Sequence, residues 1–183
     1  MADGTRTIVM VHGAFAGAWC FDRMRPTFAE RGWTCDAIDL PRHGAARAGD
    51  DGSPPASIAE YRRALVDRLR AYATPPIVLG HSMGAVLAQQ AAALGLARAL
   101  VLVCPAPRAG MLPATDGERA AAQGLMTLGA FWTSWVHPNF DVASNDSLNC
   151  VPPAERRAVF DRFGPESGQD AADRLLLDDF EKR

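Results

Sequence analysis

The sequence predicts an α/β fold: a parallel central sheet with helices on both faces, three layers in all, followed by a helical cap. Two apolar runs, Thr7-Ile8-Val9-Met10-Val11 and Ile77-Val78-Leu79, each lead into a glycine turn. Continuous apolar runs of this length mark strands buried on both faces, as parallel strands are. Helical patterns separate the strand-like runs, which is the alternation a right-handed βαβ path requires. From Arg108 onward the pattern changes to helical pieces without strand-like runs. These observations divide the 183 residues into a core over 1–107 and a cap or lid segment over 108–183.

The elements follow in order. Thr7–Val11 is the first buried strand. Trp19–Arg31 reads as one helix, with Phe21, Met24 and Phe28 on a common face and Gly32 as its stop. Trp33–Leu40 is the next strand, and it runs into Asp39-Leu40-Pro41-Arg42-His43-Gly44. Residues 45–57 are rich in Gly, Pro, Asp and Ser and form a surface connection. Ser57 and Glu60 then spell a capping box, ahead of a helix whose apolar stripe is Ile58, Tyr61, Leu65, Leu69 and Tyr72. Pro75-Pro76 delivers the chain to the strand Ile77–Leu79, a helix spans about Gly84 to Leu94, and Ala99–Cys104 is the fourth strand. In the cap segment, Leu125, Leu128, Phe131, Trp132 and Trp135 share one helical face. Pro152-Pro153-Ala154-Glu155 opens a second helix, and Asp170–Phe180 forms a third.

The most informative stretch is Gly80-His81-Ser82-Met83-Gly84, a G-x-S-x-G between a strand and a helix. A serine at so tight a turn takes strained dihedrals, and the flanking glycines remove side chains that would clash across it. The helix that follows directs free N–H groups and its positive dipole end at the serine. Upstream, His12-Gly13-Ala14-Phe15-Ala16-Gly17-Ala18-Trp19 closes the first strand with a second glycine turn. Together these motifs resemble the α/β-hydrolase superfamily, and more closely its small esterases and hydroxynitrile-lyase-like members, which carry H-G-A-x-x-G-A-W. Pro105-Ala106-Pro107 resembles the S-P-A-P turn of the same group. The likeness extends from about Thr7 to about Gln169. It implies Ser82 as the nucleophile and the N–H groups of Ala14 and Met83 as an oxyanion hole, with Phe15, His81 and Trp132 lining the substrate pocket. It also assigns the Asp39–Gly44 loop to structure, although Asp39 and His43 would make a plausible catalytic pair on residue type alone.

The resemblance covers the N-terminal core and the cap and lacks the C-terminal strands, so the fold it implies is a truncated one. In the superfamily an acid and then a histidine follow the serine, on loops behind the cap. After Ser82 the one histidine is His137, inside the cap segment. Without a base a serine hydroxyl is a weak nucleophile. The expectation is therefore a serine hydrolase of carboxylic esters or related acyl compounds whose acid and histidine come from a partner segment, with His137 as a secondary candidate base. A second chain or a second copy would complete the sheet at the apolar Ala99–Cys104 edge. The alternatives are a vestigial, non-catalytic binding protein on the same fold, or a lyase, cyclase or acyltransferase using the same serine.

Composition narrows the partners. Net charge is −2, and no Lys/Arg cluster provides a field for nucleic acid or an anionic membrane surface. No apolar run approaches the ~20 residues that span a bilayer, and Met1–Arg6 carries no apolar signal stretch, so a cytoplasmic location is expected. Cys20, Cys35, Cys104 and Cys150 lie far apart without metal-ligand spacing. They are expected to be reduced and mostly buried, with no metal or other cofactor implied. The expected ligand is a small ester or acyl compound.

Overall fold

The structure is a computed structural model that describes residues 4–44, 54–106, 114–117, 119 and 134–167. Four parallel strands form the central sheet: β1 (Thr7–Val11), β2 (Thr34–Ile38), β3 (Ile77–His81) and β4 (Ala99–Val103), in the order β2-β1-β3-β4. Their register is continuous: Val9 pairs with Asp36 on one side and Val78 on the other, and Val78 pairs with Leu100.

Alternation along the strands sends side chains to two separate cores, one on each face. Val9, Val11 and Val78 pack against Tyr61, Leu65 and Leu69 of α2 (Ile58–Arg70) and against Met83, Leu87 and Ala91 of α3 (Met83–Ala93). Ile8, Met10 and Leu79 pack against Phe21 and Phe28 on the opposite face. Layers on both faces confirm the three-layer α/β class. The chain leaves β1 for one face on its way to β2 and returns over the other on its way to β3. The β1/β3 boundary is therefore the topological switch point, where the loops at the strands' C-terminal ends part and leave a crevice.

The expected helix at Trp19–Arg31 is broken in two. A 3₁₀ turn covers Ala18–Phe21, and α1 is only Arg25–Ala29. Pro26 explains the break, because it offers no N–H and its ring collides with the carbonyl four residues back, so it is accommodated only in the first turn of a helix. Gly32 ends the segment with φ 74°. The capping box of α2 is present, with Glu60 N–H donating to Ser57 Oγ at 3.3 Å and Ser57 N–H donating to Glu60 Oε2 at 2.9 Å.

In the segment after the core, α4 (Phe140–Asn145) and α5 (Pro153–Phe160) are short helices. Trp135, expected on a helical face, lies instead in β5 (Trp135–Val136), which pairs antiparallel with β6 (Glu166–Ser167). Pro138 follows closely, and a residue ahead of proline is disfavoured in helical backbone. Leu125, Leu128, Phe131 and Trp132 and the Asp170–Phe180 pattern lie outside the described residues.

Two further points concern surfaces. Strand β4 is an edge of the sheet among the described residues, with Val101 44% and Leu102 39% exposed. The four cysteines are free, as expected, but none is buried: Cys20 and Cys35 are half-buried, and Cys104 and Cys150 are exposed. Cys104 and Cys150 follow the end of β4 and α4, where no described layer covers them.

Candidate active site

Ser82 sits between β3 and α3 with φ 52° and ψ −117°, a left-handed backbone for a residue with a Cβ. Such a conformation costs on the order of 1–3 kcal/mol and persists only where the surroundings dictate it. Here they do so from close by. Ser82 N–H donates to Val103 O at 3.1 Å, and Ser82 O accepts from Ala85 N–H at 3.0 Å and Ala106 N–H at 3.1 Å. A Cβ on Gly80 would stand 2.3 Å from Gly84 O, and one on Gly84 would stand 2.2 Å from Val11 O. Only glycine allows these backbones to approach so closely.

The loop after β1 meets the serine across the switch point. A Cβ on Gly13 would lie 2.9 Å from Ser82 Cβ and 3.0 Å from His81 Nδ1. The two glycine turns are thus adjacent, as the sequence predicts. Among the described residues, no hydrogen bond within the chain uses the N–H of Ala14 or of Met83. Phe15 and His81 are half-buried, and burial lowers the pKa of His81.

The other three histidines are engaged elsewhere or exposed. His12 is fully buried. Leu40 N–H donates to its Nε2 at 3.1 Å, so Nε2 carries no proton and Nδ1–H donates to Gly13 O at 2.8 Å. That neutral ring has its pKa lowered to about 4 by burial, and then by the nearby His43. His43 lies between two acceptors, with Nδ1 3.0 Å from Pro41 O and Nε2 3.1 Å from Glu166 Oε2. Both nitrogens therefore donate, and neither is free to take a proton from Ser82. His137 is exposed. Among the described residues, no hydrogen bond joins the Ser82 hydroxyl to a histidine.

Asp39 and His43 are not a pair. Asp39 Oδ1 accepts from Ala18 N–H at 2.7 Å, and Gly44 packs against its carboxylate. His43 pairs instead with Glu166, a residue that the sequence reading passed over. Glu166 is 3% exposed, and its carboxylate accepts four hydrogen bonds. Oε1 receives Tyr61 Oη–H at 3.0 Å and Ser167 N–H at 2.8 Å, while Oε2 receives His43 Nε2–H and, at 3.1 Å, Phe15 N–H. Burial alone would raise this carboxyl's pKa, but the hydrogen bonds and the positive His43 outweigh it and hold the group ionised. One acid in Gly164-Pro165-Glu166-Ser167 gives little signal in the sequence. Its single cue is a carboxylate in a stretch with no lysine or arginine beside it.

A serine strained at a strand-to-helix turn, with a glycine loop against it at the switch point of a parallel sheet, is the arrangement of an α/β-hydrolase. The chain matches the alpha/beta hydrolase family over residues 8–181 and belongs to it. It is 35% identical over 117 residues to the probable esterase PIR7A of Oryza sativa subsp. indica, covering 60% of this chain and 43% of that one. The chain thus spans less than half the length of that relative. Among solved structures it resembles an extracellular α/β-hydrolase from a Paenibacillus species, with TM-score 0.69, 21% identity and coverage of 87% of this chain and 66% of that one. It also resembles the methylesterase MES16 from Arabidopsis, with TM-score 0.70, 18% identity and coverage of 93% and 70%. These likenesses establish the fold. Among the described residues no helix is long and apolar enough to cross a membrane, and no group of three or more His, Cys, Asp or Glu is arranged to hold a metal ion.

Proposed function

We propose that this chain carries the nucleophile half of a serine hydrolase acting on carboxylic esters or related acyl compounds. The observation that carries the reading is the left-handed Ser82, held at the end of β3 with the Gly13 loop against it. In this reading Ser82 Oγ attacks the acyl carbonyl and its proton passes to a histidine. The N–H groups of Ala14 and Met83 receive the oxyanion, and the alcohol departs to leave an acyl-serine that water then cleaves. Phe15 and His81 are assigned to the substrate pocket, with Trp132, outside the described residues, as the third residue of that assignment, and residues 108–183 are read as the cap. The esterase relative supports an ester as substrate.

The acid and histidine come from a further segment that completes the sheet, either a second chain, a second copy or additional polypeptide. Support for this is the exposed apolar edge of β4 and the engagement of both His12 and His43 in other bonds. The same unavailability of His12 and His43 favours one second reading, a vestigial hydrolase fold that binds acyl compounds without cleaving them.

Hydrolysis of short-chain p-nitrophenyl esters, by any preparation of the chain that turns them over, alone or with a partner segment, tests the proposal. Ser82→Ala is expected to abolish turnover, and His137→Ala to leave it within about 2-fold of the parent, because an exposed side chain lends no fixed geometry to proton transfer. Turnover that survives Ser82→Ala would remove the hydrolase reading. Turnover lost equally in both variants would make His137 the base.

A further inference from the structure

Two peptides meet at the Ser82 Cα, and both are tied to the segment that ends β4. Ser82 N–H, on the first, donates to Val103 O at 3.1 Å, and Ser82 O, on the second, accepts from Ala106 N–H at 3.1 Å. Peptides are planar, so fixing the planes on either side of a Cα fixes its φ and ψ. The φ 52° and ψ −117° of Ser82 are therefore set from β4 as well as from α3.

Strand β4 reaches Ser82 O by an irregular route. His81 pairs with Val103, so the next parallel pair would be Ser82 with Cys104. In a parallel ladder a residue donates to the carbonyl before its partner and accepts from the N–H after it. The first of these bonds is made, to Val103 O. The second would come from residue 105, which is proline and has no N–H. The chain instead bends at Cys104, with φ 43°, and brings in the N–H one residue later, that of Ala106. Cys104 is exposed, so side-chain packing does little to offset its left-handed backbone.

What the bend secures is a second donor on the carbonyl of the Ser82–Met83 peptide. That carbonyl also accepts from Ala85 N–H at 3.0 Å, a three-residue bond in the opening turn of α3. Helix ends fray, and a short bond of this kind is a weak hold on a terminal peptide. The peptide is trans, so Met83 N–H points opposite to Ser82 O, away from both donors. No acceptor among the described residues takes that N–H, and it is the one the hydrolase reading gives to the oxyanion. Hydrogen bonds in series polarise one another, so a donor on Ser82 O also makes Met83 N–H a stronger donor.

We propose that the Cys104–Ala106 bend is a positioning element. Through Ala106 N–H it holds the Ser82–Met83 peptide, and with it Met83 N–H, in the orientation that receives an oxyanion. This deepens the hydrolase reading and rests on it for its purpose, while the orientation itself is measurable without turnover. Ala106 acts through Met83 and is not itself a catalytic residue.

The experiment replaces Ala106 in the intact chain by its α-hydroxy analogue. The Pro105–Ala106 amide becomes an ester, so the one N–H is lost and the side chain is kept. Asp36→Asn is the control, because Asp36 bonds to Arg68 and Tyr72 on β2, two strands from the elbow. The first readout is the residual dipolar coupling of the Met83 N–H in weakly aligned solution, which reports the direction of that bond. It is expected to change in the ester while the couplings of Ala85–Ala91 do not, and to stay at the parent value in Asp36→Asn. The second readout is Ser82 labelling by a fluorophosphonate, with whatever partner chain the parent needs. In that step an Oγ–P bond forms, P–F breaks, and fluoride and the hydroxyl proton leave. The ester is expected to lower the maximal labelling rate about 10-fold at unchanged half-saturation, part of the roughly 100-fold or more that a lost oxyanion donor costs. Asp36→Asn is expected to label at the parent rate.

An equal Met83 coupling in parent and ester would overturn the proposal, because α3 alone would then hold the peptide. So would a changed coupling with an unchanged labelling rate. A parent that labels under no condition would count against the hydrolase reading, and the dipolar coupling would then decide the clamp by itself. Should the ester chain fail to fold, Cys104→Val takes its place: a β-branched residue resists positive φ, so the bend opens, and the same measurements are read against the same criteria.

Discussion

The turn at Ser82 and the loop at Phe15 face each other across the same crevice, and each holds a non-glycine residue in left-handed backbone. They are held by opposite means. Around Ser82 the constraint is steric and backbone contact, from Gly80, Gly84 and Ala85 nearby in sequence, from the adjoining end of β4 and from Val11 and Gly13 at the end of β1. Around Phe15 it comes from a carboxylate 151 residues away, itself fixed by an imidazole, a phenol and a backbone amide. Steric strain enforced by neighbours depends only on local packing. Strain enforced by a buried charge network also depends on protonation, and so on pH.

The largest effect is expected at the locally held turn. Gly84→Ala would force a Cβ to within 2.2 Å of Val11 O, where backbone on both sides leaves nothing flexible to yield. A loss of roughly 3 kcal/mol or outright failure to fold is expected from overpacking of this kind. A thermal melt checks it, and a variant as stable as the parent would show that the turn is not held by contact.

The remotely held loop should respond to acid, with an effect of comparable size. His12 faces His43, Glu166 and Asp39, and its pKa in the fold is lowered from 6.5 to about 4. Between those values the unfolded chain binds the proton more readily than the folded one, so stability falls as pH drops from about 6.5 toward 4. The full span is worth on the order of 3 kcal/mol. Glu166 acts in the same sense at lower pH. Its folded pKa is depressed, so the stability it contributes is present above the ordinary glutamate range and is lost as pH falls through the folded value. Urea midpoints at pH 7 and pH 4.5 read the sum, and a flat profile would contradict the buried neutral His12.

The smallest effect belongs to the surface ties of the segment that carries Glu166. Arg23 meets Glu155 at 2.9 Å and Arg162 meets Asp22 at 2.9 Å, all four side chains standing well into solvent. Arg23→Ala should cost less than about 0.5 kcal/mol by the same urea midpoints. A cost near that of the acid effect would move the anchoring of this segment from the buried carboxylate to its surface.

The same contrast explains what could be read from the sequence. Gly80, Ser82 and Gly84 announce their turn because the glycines it requires lie two positions on either side of the serine, and Ser57 with Glu60 announces its cap because its two partners lie three positions apart. Alternation and apolar runs place the four strands, with β1 matching its expected bounds and β3 and β4 differing only at their ends. The helix expected at Trp19–Arg31 fails at Pro26, a local signal that the apolar spacing of Phe21, Met24 and Phe28 obscured. His43 is visible in the sequence, but its partner is not. Nothing near Asp39–Gly44 indicates that the chain returns 123 residues later with an acid for it. A buried charge pair closed by tertiary folding leaves no periodicity and no spacing to read.

The central claim is that the strained serine is chemically competent. It is tested most directly by treating the chain, alone and with candidate partner chains, with a fluorophosphonate probe and mapping the adduct by peptide mass spectrometry. One adduct per chain is expected on the peptide containing Ser82, absent from Ser82→Ala and from heat-unfolded protein. An adduct elsewhere, or none under any of these conditions, would contradict the hydrolase account.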